Sequence, residues 1–118
     1  MINRAFTQRH LKYQNMVFCN TGGTSQGNRY HHFVPAFLDS EQGDVFRSCH
    51  RDGSPSAIHL LEGLPEHLVL KRDDTGNVTA AKESIISGFL RNNLFYTREE
   101  AAQIVKKEAE LAGLALAC

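Results

Sequence analysis

The tetrapeptide Thr97-Arg98-Glu99-Glu100 limits what this chain can fold into more than any other feature. A threonine followed three residues later by a glutamate is a capping box. Its hydroxyl accepts from the amide of residue 100, and the carboxylate reaches back to the amide of residue 97. Ala101, Ile104, Val105, Leu111 and Ala112 then recur at helical spacing, with Gly113 as the expected stop. One long helix is thereby placed at the C-terminal end. Upstream, turn signals at 39–43, 52–55, 73–76 and 92–93 bound short segments, and the chain offers no second convincing long helix. The expected fold is α+β: an antiparallel sheet of four to six strands with the C-terminal helix packed on one face.

The strands are read from residue type and alternation. Segments 67–72, 77–81, 84–90 and 94–96 each read as a strand, and Met16 to Cys19 reads as a short one. Residues 29–38 and 44–50 form the best hairpin, with Leu38 opposite Val45, Phe37 opposite Phe46 and Phe33 opposite His50. That register places Phe33, Phe37, Phe46 and His50 on one face with His31 beside them, and Val34, Leu38, Val45 and Cys49 on the other. Both faces are apolar, so the hairpin should lie in a sheet covered on both sides. A short helix over 55–62 fits Ser54 as its cap, Pro55 at its first position and Gly63 at its end. Residues 1–15 carry little helical pattern, with Phe6 and Leu11 as anchors.

At 118 residues the chain is long enough for one core without disulfides or metal. Acidic and basic residues balance at 13 each, which argues against a nucleic-acid coat and leaves little repulsion between copies. The balance is uneven along the chain. Residues 1–38 contain Arg4, Arg9, Lys12 and Arg29 and no acid, leaving nine basic residues against thirteen acidic ones thereafter. We therefore divide the chain into a basic N-terminal segment with a Gly-rich loop (1–28) and a single α+β domain (29–118). The N-terminal residues lack the apolar core of a secretory signal, and no run is long enough for a membrane span. Cys19, Cys49 and Cys118 form no C-x-x-C pair, which points to a reducing, cytoplasmic setting.

The run FVPAFLDSEQGDVF, the segment HLLEGLP and the ending GFLRNNLFYTREEAA occur in that order. In this order the three blocks resemble a family of small uncharacterised bacterial proteins. The resemblance covers residues 33–105, leaves 1–32 outside, and implies no activity or cofactor.

Chemical motifs are incomplete. Gly22 and Gly27 have P-loop spacing, but Asn28 and Arg29 stand where lysine and a hydroxyl residue are needed, so 20–29 reads as a mobile loop. His31 and His50 share a face in the proposed register, and His59 or His67 offers a third nitrogen. Adjacent pairs such as His31-His32 and Cys49-His50 point apart on a strand, and no H-x-x-x-H is present, so no metal and no cofactor are expected. Arg47, Arg91 and Arg98 could line an anion site with His32 or His59, against the simpler reading of three solvated arginines. The ligand-binding candidates are His31, His50, His59, Arg47 and Arg98. The expected function is a small cytoplasmic binding or interaction domain acting as a homodimer. The alternatives are a small enzyme, metal-assisted or not, built on the histidine-bearing hairpin, and a nucleic-acid accessory protein using the basic arm.

Overall fold

A computed structural model describes residues 5–117, and the side chains of 5–113. Seven strands and one long helix form an α+β fold of two antiparallel sheets. β1 (Phe6–Thr7), β5 (Val78–Ala81) and β4 (Val69–Arg72) make the smaller sheet, in the order β1-β5-β4. The larger has the order β3-β2-β6-β7, from β2 (Val34–Asp39), β3 (Asp44–Arg47), β6 (Ile85–Arg91) and β7 (Leu94–Thr97).

The hairpin register is the expected one, with Phe37 opposite Phe46 and Leu38 opposite Val45. β2 is central, and Pro35, Ala36 and Phe37 on its two faces are all buried. The ends of the hairpin differ. Residues 29–31 form a 3-10 turn, and the amide of His50 donates to Ser54 O at 2.8 Å, so His31 and His50 do not share a sheet face. The turns behave as their residues require. Gly76 has φ of +88°, and Asn92 and Asn93 have φ of 53° and 65°, the pair of left-handed residues that a tight hairpin needs.

Two expected elements are replaced. Met16 and Val17 end a helix, α1 (Gln8–Val17), where a strand had been expected. Thr7 and His10 cap it reciprocally: Thr7 Oγ1 accepts from the His10 amide at 3.3 Å, and His10 Nδ1 accepts from the Thr7 amide at 3.0 Å. Residues 55–60 form no helix, because Ser48 ties up their backbone. The Ser48 hydroxyl donates to Ile58 O at 2.8 Å and accepts from the Leu60 amide at 2.7 Å, while Ser56 N donates to Ser48 O at 2.9 Å. Leu61–Gly63 is a single 3-10 turn.

The helix α3 (Arg98–Ala117) begins at the expected capping box, with Thr97 N to Glu100 Oε1 at 2.9 Å and Glu100 N to Thr97 Oγ1 at 3.1 Å. It runs through Gly113, which does not stop it; a Cβ there would meet nothing within 4 Å. The side chains of the apolar tail 114–118 lie outside the described residues.

Two apolar clusters result. Phe6, Leu11, Phe37, Leu61, Leu64, Leu68, Val78, Ala81 and Ile85 join the two sheets, so the described part of segment 1–28 contributes Phe6 and Leu11 to this core. Phe33, Phe89 and Ala101, flanked by Tyr96, Ile104 and Val105, seat α3 on the larger sheet.

Candidate functional site

Between these clusters runs a polar seam. Ile85, Ser87 and Phe89 alternate onto the core face of β6, which puts one hydroxyl among apolar neighbours. The segment fixed by Ser48 delivers His59 to the same place. Its ring stands edge-on between Phe37 and Phe89, with centroid separations of 5.3 and 5.0 Å. Arg98, the first residue of α3, enters from the third side.

Every polar group of the seam has an uncharged partner. Arg98 Nε donates to Ser87 Oγ at 3.0 Å, Nη1 to Gly23 O at 2.8 Å, and Nη2 to His59 Nδ1 at 3.2 Å. His59 Nε2 lies 2.7 Å from Gly88 O, a carbonyl that can only accept, so the ring proton sits on Nε2 and Nδ1 receives the guanidinium. The Ser87 hydroxyl passes its own proton to Gln14 Oε1 of α1. Burial and then the Arg98 charge push His59 down to about 3, so it is neutral at pH 7. Burial likewise lowers Arg98 to about 10, which leaves it charged. Arg98 is only 3% exposed, and among the described residues no carboxylate lies within 4 Å of it. The reading of Arg98 as a solvated arginine is therefore overturned.

The Gly-rich segment forms the outer wall of this seam, and it is built where a mobile loop had been expected. Thr21 Oγ1 donates to Phe18 O at 2.7 Å and accepts from Gly23 N at 3.0 Å; Thr24 Oγ1 accepts from Gly27 N at 3.1 Å and caps α2 (Ser25–Asn28). Asn28 is fully buried and donates from Nδ2 to Gly22 O at 2.7 Å. The glycines allow close approach. A Cβ on Gly22 would fall 2.4 Å from Val105 Cβ, and one on Gly27 would fall 1.9 Å from Thr21 O.

Loop and helix leave a cleft between them of about 940 Å³. Ile58, Ala102, Val105 and Ala109 supply its apolar wall, and His59 shows one edge in it. Asn15, Asn20, Thr21, Ser25, Gln26 and Gln103 supply amides and hydroxyls. Among the described residues, Lys106 is the one formally charged side chain lining it, and no acid does.

Of the five candidate residues, the structure brings His59 and Arg98 together and leaves the other three elsewhere. His31 Nδ1 is 2.9 Å from Glu108 Oε1 on α3, and Arg91 Nη1 is 3.0 Å from Glu108 Oε2. The His31 hydrogen bond is the main lowering influence on the Glu108 carboxyl. Arg91 also lies over the Phe33 ring at 4.5 Å, so it clamps α3 to the sheet. His50 lines a shallow depression with Arg51, Asp52 and Glu62, and Arg47 is exposed at the end of β3. Among the described residues, no three His, Cys, Asp or Glu side chains form a group that could hold a metal. No helix there is long and apolar enough to cross a membrane.

Sequence reasoning missed Gln14, Ser87 and Lys106. Ser87 had a signal: it is a hydroxyl at a core position of a strand whose neighbours on that face are Ile85 and Phe89. Arg98 had one too, since a cation in the first turn of a helix opposes the helix dipole and needs another reason to be there. Gln14 and Lys106 had none. No protein-family model matches the chain, and no curated protein or solved structure matches it either.

Proposed function

We propose that this chain is a non-catalytic binding domain that takes a small molecule in the cleft between residues 19–28 and α3. The cleft carries the reading. Its volume of about 940 Å³ falls in the range of small-molecule sites, and its apolar wall faces a row of amides and hydroxyls that can fix a ligand's orientation. The seam behind it supports binding without chemistry. His59 has both ring nitrogens engaged and is held neutral far below pH 7, which makes it a weak general base. The hydrophobic dye 8-anilinonaphthalene-1-sulfonate tests this reading, with Ala102→Trp as the variant that fills the cleft. Wild type should enhance the dye's fluorescence and Ala102→Trp should lose most of that enhancement. Equal enhancement by two folded proteins would contradict the proposal.

A second reading, self-association, rests on the outer face of the larger sheet. Val34, Leu38, Val45, Ile86, Leu90 and Phe95 share that face by register, and Arg47 is the one charged residue among its paired positions. Val45 and Ile86 are 38% and 37% exposed, although they lie beside the buried β2. A second copy can cover such a face by two-fold pairing. Light scattering at micromolar concentration should give a mass near two chains, reduced to one by Ile86→Lys. A single-chain mass for wild type at every concentration would overturn it. The exposed cations Arg9, Lys12 and Arg29 keep nucleic acid as the weaker alternative. The free thiols of Cys19 and Cys49 suit a reducing cytoplasm, which cell fractionation can check.

A further inference from the structure

We infer that the ligand of the cleft is a small organic anion, with an apolar body against the α3 wall and its charged group between Lys106 and the Gly-rich loop. The inference rests on the cleft reading above and adds the chemical class. Three observations lead to it.

The lining itself has one sign of charge. Lys106 is cationic, and among the described residues no aspartate or glutamate lines the cleft. Of the four acids of α3, Glu100 closes the helix cap and Glu108 is held by His31 and Arg91, while Glu99 and Glu110 stand outside the lining.

Immediately behind the lining lies a second positive charge. Arg98 is buried, bonded only to Ser87, His59 and the carbonyl of Gly23, and has no carboxylate partner among the described residues. Glu99 acts on it only from beyond ion-pair distance, so this buried cation keeps part of its field, because the surrounding protein screens it far less than water does. Of its partners, His59 lines the cleft, and Gly23 adjoins the lining residue Gly22. An anion in the cleft recovers interaction energy that the isolated protein lacks. The start of α3 adds a partial charge of the same sign.

The cleft is also half apolar. Ile58, Ala102, Val105 and Ala109 would leave a bare inorganic ion without contacts along one whole wall. That wall selects an anion with a hydrocarbon or aromatic body.

The test compares phenyl phosphate with neutral benzyl alcohol by isothermal titration calorimetry, at low and at physiological salt. Phenyl phosphate should bind at least about tenfold more tightly, a difference of one charged contact with the field of Arg98 behind it. Its affinity should fall about tenfold in Lys106→Gln and stay unchanged in Lys107→Gln, a neighbouring exposed lysine outside the cleft. Raising the salt should weaken phenyl phosphate and leave benzyl alcohol alone. These variants leave the buried Arg98 intact, so folding is not at issue. If both compounds bind equally and Ala102→Trp blocks both, the anion inference is wrong and the cleft reading stands. If neither binds wild type, or Ala102→Trp changes nothing, both are overturned.

Discussion

Arg98 stands in the first turn of α3, where the helix dipole disfavours a cation, and in the interior, where water cannot reach it. Its three neutral acceptors give each guanidinium nitrogen one partner and leave its charge in place. Its neighbour His59 responds to that charge and to its own burial by staying neutral. This has a consequence for stability with a definite sign. The folded value is about 3 and the unfolded value is the ordinary 6.5. Between those values the unfolded chain binds a proton at this residue and the folded one does not, so stability falls as pH is lowered. The contribution is complete above pH 6.5 and is lost at about 1.4 kcal/mol per pH unit on the way down. Asp39, Asp52, Asp73 and Glu108 also have lowered values, but these are common to wild type and a His59 variant, so the difference between the two proteins from about pH 6 to 4.5 reports the histidine. Urea denaturation of wild type and His59→Gln should give a steeper acid slope for wild type across that window. Parallel slopes would show that His59 is not buried and neutral.

At the scale of elements, legibility followed how local the deciding interactions were. The Thr97–Glu100 cap, the Asp39–Gly43 and Asp73–Gly76 turns and the Asn92-Asn93 hairpin are each decided within four or five residues, and each could be read directly. The pairing of Phe37 with Phe46 followed from alternation across a short loop. α1 could have been read had a histidine been allowed the role that glutamate takes in a capping box, since Thr7 and His10 have the same spacing. Residues 55–60 could not. Their local pattern does favour a helix, with serine, proline and glycine in the right places. A single distant hydroxyl, Ser48, binds the backbone on both sides of His59 and keeps it out of a helix. Gly113 failed as a stop for a related reason: nothing packs near it, so no tertiary contact favours ending the helix there. The site depended on such long-range contacts throughout. His59, Arg98, Ser87 and Gln14 come from four separate segments, and only the alternation in β6 and the charge in the first turn of α3 hinted that they meet.

For the whole molecule, one arrangement connects these details. Two apolar clusters share the inner face of the larger sheet, and the polar seam separates them. The Gly-rich loop covers the seam from outside and packs so tightly on α3 that Gly22 has no room for a side chain. The cleft lies along that junction, with one lysine at its surface and, behind its wall, an arginine that has no carboxylate within 4 Å among the described residues. The most direct test of this account is a backbone amide chemical-shift titration of isotope-labelled protein with phenyl phosphate. Shift changes should gather on residues 20–27 and 102–106, extend to the Arg98 and His59 amides, and spare β3 and the outer positions of β2. Changes centred on Val45, Ile86 and Phe95, or none at millimolar ligand, would contradict it.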